Sequence, residues 1–206
     1  MGKERTIFIG DVHGCIEELE ELLNQASYNA SKDRLIYLGD LINKGPNSLE
    51  VLKLVKDQNC EILMGNREQH VIEGPESKKS LPYKGWLPFI SKFLPYIEDE
   101  KFIAVHGGLA PGLTPKETPL RTLTHIRTWG GDHGQLNNPK NDPHWFDLYT
   151  NTKPVIFGHY AKLGLIQKNN CTGIDTGCVY GGKLTAYTLP DQSLIQVSAK
   201  KVYCPL

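Results

Sequence analysis

Short apolar runs alternate with amphipathic stretches through the first third of the chain. Residues 6–9, 35–38 and 62–64 are apolar runs of strand length. Between them, residues 15–23 and 48–56 carry apolar side chains at helical spacing. Strands that alternate with helices of this length are joined by crossover connections and pair in parallel. The pattern therefore predicts a βαβαβ unit.

The rest of the chain has shorter periods and more turn residues. Apolar runs at 102–105 and 155–157 are followed by closely spaced strand-like runs at 165–167, 173–175, 184–189 and 194–197. Gly181-Gly182 and Pro190-Asp191 predict hairpin turns. We predict an α/β fold, a single domain over residues 1–206, with a βαβαβ N-terminal half and a more antiparallel C-terminal half.

Proline and glycine divide the middle of the chain. Residues 73–84 and 130–143 are rich in polar and turn-forming residues and predict two loops. Residues 86–96 predict a short amphipathic helix that Pro88 and Pro95 interrupt.

Composition and charge narrow the class of protein. Hydrophobic residues make up 39% of the chain, and Lys+Arg equals Asp+Glu at 23 each. This balance gives no long-range attraction to nucleic acid or to an anionic membrane. No apolar run approaches the ~20 residues of a membrane span. Five cysteines without a Cys-x-x-Cys pair indicate reduced thiols, so we expect a cytoplasmic protein. The oligomeric state is left open.

Metal-ligating side chains stand at the ends of five successive apolar runs. Because ligands bind at the carboxyl ends of strands in α/β sheets, these side chains are expected to converge on one polar site. Asp11 and His13 are two residues apart, a spacing that on a strand places both side chains on one side. Asp40, from a neighbouring strand, could bridge two ions. The six candidates are Asp11, His13, Asp40, Asn66, His106 and His159.

The ligand types indicate the kind of metal. Oxygen and nitrogen ligands without thiolate favour manganese, iron or zinc over calcium or magnesium. Two such ions a few ångströms apart can bind a bridging hydroxide and hold phosphoryl oxygens.

Taken in order, these motifs resemble those of the calcineurin-like metallophosphoesterases. The matching segments are Gly10-Asp11-x-His13-Gly14, Gly39-Asp40-x-x-x-x-Gly45, Gly65-Asn66, His106-Gly107-Gly108 and Gly158-His159. The resemblance covers residues 6 to 190. It implies a β-sandwich of mixed sheets flanked by helices. It also implies two divalent ions, Mn²⁺ first and iron or zinc as alternatives.

Residue roles follow from the same resemblance. One metal would be held by Asp11, His13 and Asp40. The other would be held by Asp40, Asn66, His106 and His159. Arg127 is the candidate for an arginine that binds phosphate through two hydrogen bonds, with Arg121 as the alternative. Asp175 is either a turn residue or a partner that orients a ligand.

Two segments indicate a branch of the family. Residues 40–46 and 174–182 are similar to the ApaH and ApaH-like proteins of the phosphoprotein phosphatase superfamily. Those proteins hydrolyse dinucleoside polyphosphates and related phosphoanhydrides. The resemblance implies a dinuclear phosphohydrolase in which a metal-bound hydroxide attacks phosphorus. The expected partner is a small phosphorylated substrate, with a nucleotide polyphosphate favoured.

The chain departs from the family at the residues that protonate the leaving group. Asn43-Lys44 replace an Asp-Arg pair, and Arg67 replaces the histidine that pairs with that aspartate. Arg67 does not release a proton near neutrality. General acid catalysis is worth roughly 10²–10⁴ in rate. A nucleotide phosphate, with a second pKa of about 6, is a much better leaving group than a serine alkoxide.

This loss should therefore cost less for a phosphoanhydride than for phosphoserine. Lys44, Arg67 or Arg127 could stabilise the departing anion, and His70 or His133 could replace the missing acid.

Two other functions remain open at this point. A Ser/Thr protein phosphatase predicts a restored proton donor. A metal-dependent phosphate-binding protein with weak catalysis predicts nucleotide binding without phosphate release. Dinucleoside polyphosphates, polyphosphate, capped RNA and phosphoproteins all fit the inferred chemistry.

Overall fold

Two five-stranded mixed sheets with helices beside them form the fold. The computed structural model describes residues 5–78, 80–130 and 141–205. The first sheet has the order β10-β9-β1-β2-β3. Its strands are β1 (Arg5–Ile9), β2 (Asp33–Tyr37), β3 (Cys60–Ile62), β9 (Lys183–Leu189) and β10 (Leu194–Ser198).

The N-terminal half is the predicted βαβαβ unit. Helix α1 (Ile16–Gln25) connects β1 to β2, and α2 (Ser48–Lys56) connects β2 to β3. All three strands pair in parallel, with Ile7 opposite Leu35 and Leu35 opposite Cys60. Residues 7–9 of β1 are fully buried, as expected for a central strand covered on both faces. This prediction is confirmed.

The second sheet has the order β4-β5-β6-β8-β7. Strands β5 (Ile103–Ala104), β6 (Val155–Phe157) and β8 (Cys171–Gly173) are parallel neighbours. The edge strands β4 (Ile97–Glu98) and β7 (Ile166–Lys168) pair antiparallel to them. With the antiparallel pairs that β9 makes to β1 and β10, the C-terminal half is more antiparallel, as predicted.

Apolar side chains from both sheets pack against each other and form a sandwich. Phe8 of β1, Ile36 of β2 and Ile156 of β6 belong to one buried cluster. Phe8 meets Phe102 edge to face, with ring centroids 4.9 Å apart. The remaining helices are α3 (Asn66–Glu73), α4 (Leu87–Ile90) and α5 (Leu120–His125). The α/β sandwich inferred from the sequence is confirmed.

Three local predictions are wrong in detail. Gly181-Gly182 does not form a hairpin, because β8 and β9 lie in different sheets. Residues 171–189 run from the sheet that contains β8 to the sheet that contains β9. The strand predicted at 173–175 lies at Cys171–Gly173. The helix predicted at 86–96 is reduced to α4, preceded by a 3₁₀ turn over Leu81–Trp86.

The other turn and loop predictions have mixed outcomes. The Pro190-Asp191 turn joins the antiparallel pair β9 and β10, so that hairpin is confirmed. Most of the loop predicted at 130–143 falls on residues 131–140, outside the described part of the chain. None of the helices in the described part of the chain has the length and apolarity that crossing a membrane requires.

Candidate active site

Five strand ends bring the six predicted ligands together at one edge of the sandwich. Asp11 and His13 follow β1, and Asp40 follows β2. Three residues separate the end of β3 from Asn66, which begins α3, while His106 and His159 follow β5 and β6. The expectation that Asp11 and His13 lie on a strand is wrong, because β1 ends at Ile9. Both side chains reach the cluster from the turn beyond the strand.

Asp40 lies at the centre of this cluster. Its Oδ2 atom is 3.5 Å from His13 Nε2, and its Oδ1 atom is 3.5 Å from His106 Nε2. The two carboxylate oxygens therefore face two different imidazoles. Asp11 Oδ2 is 3.9 Å from His13 Nε2 on one side. The ligand atoms of Asp11, Asp40 and His106 lie within 4.8 Å of one another, so this buried group could hold a metal ion.

Asn66 completes the other side of the cluster. Its Oδ1 atom lies 3.2 Å from both His106 Nε2 and His159 Nδ1. Hydrogen bonding alone favours the reversed amide, with nitrogen 2.9 Å from Asp40 Oδ2. In the orientation that the structure has, Asn66 Oδ1 faces both imidazoles. This orientation suits a cation bound by the Asn66 oxygen and the two imidazole nitrogens together.

The three histidines are each oriented by a backbone carbonyl. His13 Nδ1 donates to the Ile42 carbonyl at 3.1 Å, and His106 Nδ1 donates to the Leu38 carbonyl at 2.7 Å. His159 Nε2 donates to the carbonyl of His125 at 3.2 Å. In each ring the other nitrogen therefore carries a lone pair directed at the cluster, as in metal-binding histidines.

Burial keeps these imidazoles neutral. It lowers the pKa of His13 to about 4, and it lowers the pKa of His106 and His159 from the usual value. A neutral imidazole is the form that binds a metal.

Two carboxyl groups at the site have raised pKa values. Burial, with the charges of Asp175 and Asp40, raises the pKa of Asp11 well above its usual range. Burial also raises the pKa of Asp175 to about 6. Asp11 Oδ2 is buried and has no hydrogen-bond partner. A buried acceptor without a partner is costly, and divalent cations would satisfy it. The residues present therefore fit a metal centre.

Several site residues have a positive φ. This left-handed backbone conformation is one that residues other than glycine rarely adopt. Such strain persists where the surrounding structure fixes it, commonly at functional sites. Glycine is required for close approach at Gly158, since a Cβ there would lie 2.2 Å from Asp11 Oδ1. The residues concerned are His13, Asp40, Asn43, Lys44 and His159, with φ between 47° and 69°.

A cavity of about 120 Å³ opens beside the cluster, and three cationic side chains predicted from the sequence line it. Arg67 and Arg127 each have a buried Nε atom without a hydrogen-bond partner. Arg127 lies over the ring of Tyr160, 5.4 Å from its centroid. The alternative, Arg121, is exposed and does not line this cavity.

Lys44 points into the same space. Its Nζ atom lies 3.2 Å from His13 Nε2 and is hydrogen-bonded to the hydroxyl of Tyr180. The ammonium therefore provides a positive charge beside the lone pair of His13. Asn43 does not line the cavity, and its Oδ1 atom accepts a hydrogen bond from Tyr83 at 3.1 Å.

The structure describes one of the two candidate replacement acids. His70 is exposed on α3 and is not among the lining residues. His133 lies outside the described residues. Sequence reasoning gave no role to Tyr160 and Lys162, which also line the cavity. Neither stands in a recognisable motif, and only the fold brings them to the site.

Comparison with known proteins agrees with this geometry. Residues 4–189 match the model of the calcineurin-like phosphoesterase family. A bis(5'-nucleosyl)-tetraphosphatase PrpE (asymmetrical) of Oceanobacillus iheyensis is 28% identical, covering 95% of this chain and 92% of its own. A symmetrical bis(5'-nucleosyl)-tetraphosphatase of Methylobacillus flagellatus is 29% identical, covering 93% and 94%.

Solved structures share the fold. A crystal structure provisionally assigned as a diadenosine tetraphosphatase superposes with a TM-score of 0.88 at 27% identity, covering 95% of this chain and 93% of its own. A Saccharomyces cerevisiae Ser/Thr phosphatase superposes with a TM-score of 0.63 at 15% identity, covering 96% and 80%, which shows the fold alone. Because the family model spans most of the chain, the protein belongs to the calcineurin-like phosphoesterase family and is a hydrolase of the phosphatase type.

Proposed function

We propose that this protein is a dinuclear metal-dependent phosphohydrolase that cleaves phosphoanhydrides such as dinucleoside polyphosphates. One observation carries the proposal: a cluster of six ligand-type side chains opens on a cavity lined by four cationic side chains, those of Lys44, Arg67, Arg127 and Lys162. Within the described residues, no acid-base pair of the protein-phosphatase kind stands beside it. The tetraphosphatase names of the relatives support the same substrate class.

The proposed metal ligands divide around Asp40. Asp11, His13 and Asp40 would hold one ion, and Asp40, Asn66, His106 and His159 would hold the other. Manganese is proposed first, with iron or zinc as alternatives, because the ligands mix oxygen and nitrogen. Bound ions of this kind supply charge that activates water and neutralises phosphoryl oxygens. Each of the three histidines donates a hydrogen bond to a backbone carbonyl. These hydrogen bonds already orient the ligand nitrogens toward the cluster, so the rings need not rotate when a metal binds.

Arg67 and Arg127 are the proposed phosphate-binding residues. Both guanidinium groups line the cavity, and the Nε atom of each has no hydrogen-bond partner, with Arg67 Nε 3.9 Å from Asp40 Oδ2. A guanidinium can hold a phosphoryl group through two parallel hydrogen bonds. The guanidinium of Arg127 stacks on the ring of Tyr160. This contact restricts the Arg127 side chain in advance, so less conformational entropy is lost when phosphate binds. These donors would hold the reacting phosphoryl group against the cluster.

The leaving group departs without a histidine acid in this proposal. Asn43 is held by Tyr83 outside the cavity, so its contribution is to shape the loop that presents Lys44. Lys44 and Arg67 would stabilise the negative charge on a departing phosphate. Such help is sufficient for a nucleotide leaving group, whose second pKa is about 6, and insufficient for an alkoxide.

Arg67→His tests this leaving-group argument. The new imidazole can donate a proton, so turnover of a phosphoserine peptide should rise by up to about 10²-fold relative to turnover of diadenosine tetraphosphate. Arg67→Gln is the matched control, since it removes the guanidinium without adding an acid. Steady-state kcat for both substrates gives the ratio. An unchanged ratio in Arg67→His relative to Arg67→Gln would refute the argument.

Arg127→Ala tests the phosphate clamp. Loss of the guanidinium should lower kcat/KM for diadenosine tetraphosphate by about 10²–10³, the usual effect of removing a donor that stabilises transition-state charge. Arg121→Ala, an exposed arginine on α5, is the control and should stay within about 2-fold of wild type. Similar losses in both variants would contradict the assignment of Arg127.

Product analysis tests the proposed activity itself. The purified chain is supplied with Mn²⁺ and diadenosine tetraphosphate, and the nucleotides are separated by chromatography. Two molecules of ADP would show symmetrical cleavage, and ATP with AMP would show asymmetrical cleavage; either result supports the proposal. Nucleotide binding without any product would instead indicate a phosphate-binding protein.

A further inference from the structure

A second group of metal-ligating side chains lies outside the proposed active site. Cys15 directly precedes α1, Glu18 lies in the first turn of α1, and Cys178 lies in a 3₁₀ turn between β8 and β9. All three are buried. One ligand atom of each, two thiol sulfurs and a carboxylate oxygen, lies within 4.8 Å of the other two.

The carboxylate of Glu18 is only half satisfied. Its Oε1 atom accepts hydrogen bonds from the Lys200 backbone N–H at 2.9 Å and from the Tyr203 hydroxyl at 2.7 Å. Its Oε2 atom is buried and has no hydrogen-bond partner. Glu18 as a whole has no exposed surface. Leaving a buried carboxylate oxygen without a partner is expensive, so this oxygen indicates a missing cation or donor.

The surroundings leave room for a further ligand. A cavity of about 300 Å³ adjoins the group, and Cys15, Glu18 and Tyr203 are among its lining residues. Three protein ligands and one water molecule would give the four-coordinate arrangement that zinc adopts in proteins.

We propose that Cys15 Sγ, Cys178 Sγ and a Glu18 carboxylate oxygen bind one Zn²⁺ ion, with water from the adjoining cavity as the fourth ligand. Thiolate ligands distinguish this site from the oxygen and nitrogen cluster around Asp40. The two sites therefore differ in metal preference: sulfur ligands favour zinc in one, and oxygen and nitrogen ligands favour manganese first in the other.

The thiols are compatible with burial in the metal-free protein. A hydrogen bond with Cys15, together with burial, raises the pKa of Cys178 above its usual value, so that side chain is a neutral thiol. Zinc binding converts both thiols to thiolates and releases two protons to solvent.

The proposed site lies between three separate segments of the chain. Cys15 is two residues beyond His13, and Cys178 is two residues before Tyr180, which lines the active-site cavity. Glu18 also holds the segment at 200–203 through two hydrogen bonds. One ion would therefore connect three segments of the chain: the turn that carries His13 and Cys15, the turn that carries Cys178 and Tyr180, and residues 200–203.

Cobalt is the probe that reads this site separately from the active site. The full chain, reduced and stripped of metal, is saturated with Mn²⁺ and then titrated with Co²⁺. Thiolate-to-cobalt charge transfer gives a near-ultraviolet absorption band that oxygen and nitrogen ligands do not produce. We expect this band to saturate at one equivalent per chain and to disappear when Zn²⁺ is added.

Variants assign the band to residues. Cys178→Ser should abolish it, and Glu18→Gln should weaken Co²⁺ affinity at least about 10-fold. Cys60→Ser is the matched control, because Cys60 lies in β3 outside the group, and it should retain the full band. Circular dichroism checks that each variant is folded, and the wild-type and Glu18→Gln titrations remain decisive if Cys178→Ser does not fold.

Three results would overturn the proposal: no thiolate band in the wild type, an undiminished band in folded Cys178→Ser, or oxidation of the two thiols to a disulfide in preference to metal binding. None of these measurements uses phosphatase activity, so their outcome is independent of the proposed function.

Discussion

Asp40→Asn is expected to remove metal binding at the proposed active site and lower kcat/KM for diadenosine tetraphosphate by about 10³-fold or more. The two oxygens of Asp40 face His13 and His106 separately, so one substitution weakens both proposed metal positions. Removing a single donor that stabilises the transition state typically lowers the rate by about 10²–10³. The loss should be larger here because two proposed metal ions lose the carboxylate that they share. Metal content by elemental analysis and steady-state kinetics measure the two effects.

The matched control for this variant is Asp57→Asn. Asp57 is exposed at the end of α2, and the change also removes one carboxylate charge. It should leave metal content and kcat/KM unchanged within about 2-fold. Activity of Asp40→Asn above a tenth of wild type would mean that Asp40 is not the bridging ligand.

Glu68→Ala is expected to lower the free energy of unfolding by about 4 kcal/mol. The Glu68 carboxylate is fully buried and accepts hydrogen bonds from four backbone amides. These are the N–H groups of Asp40, Leu41, Ile42 and Gly65, at 2.8 to 3.3 Å. Each buried amide left without an acceptor costs roughly 1–3 kcal/mol, reduced where water can enter. Chemical denaturation measures the loss.

Two further variants separate hydrogen bonding from loss of packing. Glu68→Gln keeps one acceptor oxygen and should fall between wild type and Glu68→Ala. Glu50→Ala, on the exposed face of α2, should change stability by less than about 0.5 kcal/mol. A loss below about 1 kcal/mol in Glu68→Ala would show that these amides find other partners. Burial and the charge of Asp40 raise the pKa of Glu68 to about 8, while the hydrogen bonds from backbone amides act in the opposite direction.

The convergence of the six proposed metal ligands was predictable because each lies at or just beyond the end of an apolar run of strand length. Strand direction then fixes the edge at which the ligands meet, whatever the order of the strands. The crossover unit was predictable for a similar reason, since helical and strand periods alternate clearly from residue 6 to residue 64.

Sheet membership could not be predicted, because short strands of similar composition can pair with several partners. β8 and β9 follow each other in sequence but lie in different sheets. The segment that contains Gly181-Gly182 is therefore a crossover between sheets and not a hairpin turn. The connection turns instead through Gly177 and Gly181, which have φ of 74° and 90°. Local turn chemistry was recognised there, but the pairing that decides its meaning is a tertiary property.

Glu68 shows a signal that was present but not used. It is the third residue of α3, where an acidic side chain can accept the amide that precedes the helix. The further bonds to residues 40–42 depend on the fold and have no sequence signature. The group of Cys15, Glu18 and Cys178 is similar, because its two cysteines lie far apart in sequence and form no spacing motif.

Substrate preference tests the account most directly. The Mn²⁺-loaded protein is assayed with diadenosine tetraphosphate and with a phosphoserine peptide under the same conditions, and kcat/KM is compared. The account predicts a preference for the nucleotide of about 10² or more, the range of a missing general acid. Equal turnover, or preference for the peptide, would contradict it and would mean that another residue supplies the proton.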